Sequence, residues 1–311
     1  MAIDPNKIAT TGDFSGFLKP DQAAPIFEEV ARTSLVQQLG KKIPMGPTGV
    51  SIPFWDGEVS ANWVDETGKK PLTKGGFDQF SIAPKKIATI FAMSSEVVRA
   101  NPQNYINVMR QKVAEAFAIA FDEAALHGNN SPFASYVDQT TKATSLIGAD
   151  GTANAYAGIN NGLGLLVNDG KKYTGGLFDL ITEPILNDSL DANGRPLFIE
   201  PTYTETNSLT RTGRVLSRPT LIADHVAQDD VLGYIGDFSK IVWGQVGGIS
   251  YDVSDQATLD LSAAQDGSGL TSLWQHNLVA VRCEAEFAIH VHDPEAFVKV
   301  NKQAAAEGGE G

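Results

Sequence analysis

Hydrophobic and polar positions change period several times along this chain, and each change marks an element. From Asp21 to Leu39 they recur in steps of three and four: Ile26, Val30, Thr33/Ser34 and Gln37 on one line, Phe27, Ala31, Leu35 and Leu39 on another. This predicts an amphipathic helix stopped by Gly40. From Gly49 to Met93 the period drops to two. Val50, Ile52 and Phe54 alternate with Ser51, Pro53 and Trp55, and Val59, Ala61 and Trp63 continue after Asp56-Gly57. A run of turn formers, Asp65 to Gly76, precedes a return over Phe77–Ala83 and, past Pro84, Ile87–Met93. The pattern is a long hairpin. A two-stranded hairpin is marginal alone, so this one lies on the chain's own sheet or on a neighbouring molecule, and the pattern leaves both open.

The three-and-four period returns at Ile106, Met109, Val113, Phe117, Ala120 and Ala124, with Ile119 and Phe121 on a second face. Asn101 is placed as its cap, Pro102 in its first turn and Gly128 at its end. Such a helix spans roughly 37 Å at about 1.5 Å per residue. Residues 129–175 are rich in Gly, Asn and Thr and predict short strands and loops. Leu177–Leu190 predicts a helix, Pro196–Glu200 and Leu221–Val226 strands. Ile241–Trp243 and Gly248–Val253 predict two strands around a glycine turn, and Trp274–Arg282 with Glu286–His292 a final pair. Residues 304–311 are low in complexity.

With 42% hydrophobic and 20% charged residues among 311, the chain has a globular composition. No apolar run reaches the roughly 18–20 residues that span a bilayer, and Met1–Pro20 lacks the apolar core of a secretory signal. A cytoplasmic protein without membrane partners is expected. The net charge of −13 argues against tight, sequence-specific nucleic-acid binding, which needs clustered Lys and Arg. Cys283 is the only cysteine, so an intrachain disulfide is excluded; its strand context makes it a packed hydrophobe.

Candidate chemistry is thin. His290-Val-His292 puts two imidazoles on one strand face, where a metal could sit with Glu286 or Asp293, but the bland reading is strand packing. Asp191-Ala-Asn-Gly194 and Asp229-Asp230 lack calcium-loop spacing, and Gly162-Leu-Gly164 lacks the third glycine of a dinucleotide fingerprint. No nucleophile elbow is present. No catalytic, cofactor or metal residue is therefore assigned. Lys69, Lys70 and Lys74 cluster at the hairpin tip, either as a solvated loop or as partners for acidic groups on another subunit.

Ser94-Ser-Glu96 before the long helix, Asp122 and Gly128 near its end, Gly236-Asp-Phe-Ser-Lys240 and Pro294-Glu-Ala-Phe297 occur here in the order found in HK97-like major capsid proteins of tailed bacteriophages. The chain resembles that family from Phe17-Leu-Lys-Pro20 to about Lys299. The resemblance implies an α+β fold with an N-terminal arm (1–45), an extended β-hairpin or E-loop (46–92) and a peripheral domain (93–149) with spine helix 102–127. It further implies an axial domain (150–272), returning peripheral strands (273–300) and a tail (301–311). It implies a structural protein, not an enzyme, whose copies form pentamers and hexamers of an icosahedral shell around double-stranded DNA. Assembly in the host bacterial cytoplasm and residence in the virion follow. Because Met1 leads at once into the arm, a separate scaffolding protein, or none at all, is expected, with a portal; a decoration protein stays open. The implied intersubunit contacts are Phe14, Phe17, Trp55, Trp63, Phe77 and Phe80 with the tip lysines. Some family members join a hairpin lysine to an asparagine of the next subunit, for which Asn301 is the acceptor on offer. The alternatives are an encapsulin-type compartment shell and, from another class, a soluble enzyme or binding protein.

Overall fold

A computed structural model describes residues 8–9, 34–56, 61–64, 69–70, 72, 75–101, 104–148, 154–188, 198–199, 211–262 and 266–303. In chain order these form β1 (Ile8–Ala9), α1 (Leu35–Leu39), β2 (Lys41–Pro44), β3 (Val50–Asp56), β4 (Gly76–Ile82), β5 (Lys85–Ser94), α2 (Ser95–Ala100) and α3 (Tyr105–Leu126). There follow β6 (Ala143–Ile147), α4 (Ala155–Asn168), β7 (Gly175–Asp179), α5 (Thr182–Asp188), β8 (Phe198–Ile199), β9 (Arg211–Val215) and β10 (Arg218–Ala223). The last elements are β11 (Val231–Gly236), β12 (Ile241–Ser254), β13 (Thr258–Asp260), β14 (Leu270–Ser272), β15 (Leu278–Val291) and β16 (Phe297–Gln303).

Two large sheets organise the chain. One runs β1-β5-β15-β12-β2, the other β6-β16-β11-β7-β10-β9-β8. The long helix α3 lies on the first. Cys283, Ala285, Phe287, Ile289 and Val291 alternate along β15 and meet Val113, Phe117, Phe121 and Ala125 of α3 in one core. Phe121 is wedged between Trp243 and Phe287, ring centroids 6.1 and 5.3 Å away. The same core runs onto one face of the second sheet through Leu177, Leu221, Tyr234 and Phe297. The opposite face presents Phe178, Ile222, Ile235, Val298 and Val300 to α4. Strands covered on both faces read as unbroken apolar runs. That explains why Leu177–Asp179, in a strand buried throughout, fits the start of a helix in sequence.

Several expectations need correction. Asn101 serves the long helix through its side chain, as a cap expected of it would, but from outside the N-cap position, which Asn104 holds. Asn101 itself closes the short helix α2 in the left-handed conformation (φ 38°), which asparagine tolerates, and its side chain accepts the Ile106 N–H at 3.2 Å. The spine therefore starts at Tyr105 rather than 102, and its 22 residues span about 33 Å. Gly128 closes it as expected, with φ +73° and its N–H on the Glu123 carbonyl. The helix expected over 177–190 is a strand followed by α5. Conversely α4 occupies a stretch expected to hold strands and loops. Its glycines lower helix propensity by about 1 kcal/mol each against alanine, yet they admit close packing. Thr144 Oγ1 donates to the Gly158 carbonyl at 2.7 Å, and a Cβ on Gly158 would lie 2.1 Å from the Ser145 carbonyl oxygen.

The glycine turn expected between two strands near 247 is a bulge within β12, where the register on β15 slips between Val246 and Ser250. The expected final pair is likewise one continuous strand, β15, in which the buried side changes from Leu278 and Ala280 to Cys283, Ala285 and Phe287 without a turn. The boundary drawn at 272 falls between β12 and β15, which pair over eleven register positions from Ile241↔Val291 to Ser254↔Ala280. Residues 297–303, placed with the returning strands and the tail, pair instead with β11 and β6 of the second sheet. Of the helix expected over 21–39, only Ser34 onward lies among the described residues, and Asp191–Gly194 lies outside them.

Candidate assembly surfaces

The hairpin β3–β4 forms a two-stranded sheet of its own. Its register, Val50↔Ile82 to Asp56↔Gly76, assigns its faces. Ile52, Phe54, Phe80 and Ile82 share one face, and Trp55, Phe77 and Gln79 the other. The first face turns onto the molecule's own body. Phe80 stacks on His290 at 4.3 Å and lies 5.4 Å from His292, while Phe54 meets His292 edge-on at 4.6 Å. The sequence left open whether the hairpin rests on its own sheet or on a neighbour; its base rests on its own sheet, opposite the face covered by α3. At the entry, Gly49 holds φ +82°, where a Cβ would strike the Ile82 carbonyl oxygen.

Residues described on the second face and toward the tip are largely exposed. Trp55 and Phe77 pair edge-to-face at 5.2 Å and are 50% and 77% exposed. Farther out, Trp63 and Leu72 stand fully in solvent at 102% and 97%. Lys69 and Lys70 are exposed as well. Of the contact residues expected from the sequence, Trp55, Trp63, Phe77, Lys69 and Lys70 are thus brought together on one projection, whereas Phe80 is turned inward. Phe14, Phe17 and Lys74 lie outside the described residues. Asn301, the acceptor on offer, is half-buried in β16 with its side-chain oxygen sheltered.

Two buried polar nodes tie the end of α3 to α1 and to the second sheet, and sequence reasoning assigned neither. Asp122, fully buried on α3, accepts from Ser34 Oγ (2.6 Å), Leu35 N (2.8 Å) and Val36 N (3.2 Å), and from His225 Nε2 (3.0 Å). It thereby caps the first turn of α1 from outside, beside Ser34, which caps it from within by accepting the Gln37 N–H. Burial pulls the His225 pKa down, but hydrogen bonds and charge from Asp122 and Asp224 outweigh it, and the net shift is upward. The second node is His127. Its Nε2 faces the Val226 carbonyl (3.1 Å), which can only accept, so Nδ1 accepts the Tyr234 hydroxyl at 3.0 Å. Burial holds its pKa below the usual value. The signal was a charged residue inside an apolar helical face at Asp122 and a polar one at the helix's C-terminal end at His127.

The histidine pair at 290 and 292 is used for packing and hydrogen bonding: Ser135 Oγ lies 3.2 Å from His290 Nδ1. Burial lowers the His290 pKa, with the charge of His292 adding to it. Among the described residues no three His, Cys, Asp or Glu side chains converge as metal ligands. Cys283 is buried in the core between α3 and β15, and burial raises its thiol pKa.

Against known proteins, the model of the phage capsid family matches residues 15–302. The chain belongs to the phage capsid family. This capsid protein is 55% identical over 314 residues to the probable major capsid protein gp17 of Mycobacterium phage D29, covering 100% of this chain and 98% of that one. It is 55% identical to the corresponding protein of Mycobacterium phage L5, covering 99% and 96%. At 25% identity it also matches the major capsid protein of Staphylococcus phage 80alpha over 96% of this chain. Solved structures from Mycobacterium phage Bobi (TM-score 0.70, 17% identity, 94% of this chain and 98% of that one) and Gordonia phage Cozz (0.69, 19%, 94% of each) share its fold. The fold is HK97-like and α+β, as the sequence motifs implied. These relatives do not favour the encapsulin alternative, and the family is a structural rather than an enzymatic one.

Proposed function

We propose that this capsid protein is the major head subunit of a tailed phage, its copies grouped as pentamers and hexamers in an icosahedral shell around double-stranded DNA. The observation that carries the reading is the 55% identity to major capsid proteins along essentially the whole chain. The geometry supports it. A hairpin with its base seated and its aromatic tip bare is costly in a free monomer, since each large apolar side chain left in water forgoes about 1.5–3 kcal/mol of burial. In a lattice of identical subunits the same tip has a neighbour to cover it, through a contact that repeats without closing on itself.

Within this reading the peripheral domain comprises α3 and the sheet β1-β5-β15-β12-β2, and the axial domain comprises the sheet β6-β16-β11-β7-β10-β9-β8 with α4 and α5. Trp55, Trp63, Phe77, Lys69 and Lys70 form the intersubunit contact, joined by Lys74, Phe14 and Phe17. A separate scaffolding protein, a portal and an assembly step in the host cytoplasm complete the proposal, with a decoration protein as an optional addition. The net charge of −13 suits a wall that confines DNA without gripping its phosphates.

The test is negative-stain electron microscopy of the purified protein, alone and co-expressed with its genomic neighbours. Closed particles, or rings of five and six, are expected. A monodisperse monomer or dimer under every condition overturns the proposal.

A further inference from the structure

For a chain with a net charge of −13, the cations are unevenly placed. Four segments, 39–50, 171–178, 211–223 and 238–251, hold eight lysines and arginines and no aspartate or glutamate. The fold brings them to one seam, where α1 and β2 meet the starts of β7 and β10 and the turn into β12. A methyl on Gly175 would lie 3.1 Å from the Pro219 carbonyl oxygen, 3.5 Å from the Phe238 ring and 3.9 Å from the Leu39 side chain. Lys41 pairs with Val242, two positions after Lys240, and the Phe238 N–H donates to Thr174 Oγ1 at 3.0 Å.

Two of the eight cations are engaged inside the molecule, Lys171 with Asp293 and Arg211 with Glu183. Lys41, Lys42, Lys172, Arg214, Arg218 and Lys240 make no ion pair among the described residues, and all but the half-buried Lys240 are exposed. Lys42 lies over the Trp243 ring, 5.0 Å from its centre, which holds the ammonium at the seam. The flanking acids are already occupied. Asp293 holds Lys171, Asp169 holds Lys142, and buried Asp237 accepts from the Ser239 amide and hydroxyl.

The kind of partner follows from what the seam lacks. Protein interfaces centre on aromatic and apolar anchors. None of the large exposed apolar side chains among the described residues falls in these four segments. A cationic surface with arginines and no apolar centre suits phosphates, which accept two N–H bonds from one guanidinium.

We infer that this seam is a contact for the phosphate backbone of the packaged duplex, with Arg214 and Arg218 as forked donors and the lysines as point charges. The inference rests on the shell reading above. It confines the grip to one seam of an otherwise acidic subunit, so the contact reads no base sequence and weakens with salt.

Lysine acetylation read by mass spectrometry compares DNA-filled heads with empty shells. Lys41, Lys42 and Lys172 should react several-fold more slowly in filled heads, while Lys85 and Lys302, exposed elsewhere, keep their rates. Equal rates at the seam, or uniform slowing of every lysine, overturn the inference and leave the shell reading intact; the absence of any particle instead removes that reading. As a second arm, fluorescence anisotropy of a short labelled duplex follows binding to the unassembled subunit as salt is varied. Lys172→Gln with Arg214→Gln and Arg218→Gln should weaken binding at low salt at least about tenfold and reduce the slope of log K against log salt by roughly two to three units. Lys85→Gln with Arg99→Gln and Lys302→Gln removes the same charge from other exposed positions and should leave the slope nearly unchanged. An equal loss in both triple variants overturns the inference. So does tighter binding of poly-glutamate than of the duplex, which would assign the seam to an acidic protein surface.

Discussion

Asp122 is the buried group whose loss should cost this subunit most. Its side chain is fully buried and receives four donors, from Ser34, Leu35, Val36 and His225. In Asp122→Ala the amides of Leu35 and Val36, both buried, lose their acceptor, and a buried unsatisfied donor costs about 1–3 kcal/mol. External capping of α1 disappears as well, at about 1 kcal/mol, and the histidine keeps only Asp224. These terms overlap, since one water in the vacated space could serve several donors. The net loss should fall at about 3–5 kcal/mol, the range for removing one member of a buried ion pair. Asp122→Asn keeps the volume and one acceptor oxygen but turns an amide donor toward groups that themselves donate, so it should cost about half as much. Urea unfolding of the unassembled subunit, followed through its four tryptophans, measures both. The pH dependence supplies an independent check. The folded pKa of His225 is raised, so its contribution is complete below its unfolded value near 6.5 and fades as pH rises through the folded value. Wild-type stability should therefore decline as pH rises above about 6.5, and the Asn variant should lose that slope. A cost below about 1 kcal/mol for the alanine variant, or an identical pH profile in both proteins, would refute the reasoning.

Three further outcomes are expected. Gly158→Ala should destabilise the subunit by about 1–3 kcal/mol despite its better helix propensity, because the added methyl meets the Ser145 carbonyl; thermal melting checks the sign. Phe80→Ala should unseat the hairpin base from His290 and His292, read as faster amide hydrogen exchange over residues 76–82 with β15 unchanged; equal exchange would mean the seat does not hold the hairpin. The Asp260 carboxylate, lowered to about 2 by hydrogen bonds from Ser262, Gly267 and Gly269, stabilises its loop above the ordinary aspartate range and releases it as pH falls through its folded value. Exchange at the Gly267 and Gly269 amides should accordingly rise between about pH 4 and pH 2, ahead of the core.

The sequence by itself carried what depends on local periodicity and chain order. Alternation from Val50 to Phe54 and from Phe77 onward required a hairpin. Steps of three and four from Val113 to Ala124 required a long helix ending at Gly128. The order of soft motifs from Ser94 to Phe297 pointed to the family. What it misplaced were segments whose neighbours decide their state. Gly175–Asp179 is a strand because cores press on both its faces, and Ala155–Asn168 is a helix because its glycines let it lie against β6. Neither pressure leaves a period in a short apolar or glycine-rich run. The roles of Asp122 and His127 likewise depend on partners 86 to 107 positions away, which no spacing encodes. Only the tertiary structure decided which hairpin face is seated and which is bare. The period of two assigns residues to two faces, but the sheet beneath, carrying His290 and His292, selects the one that is buried.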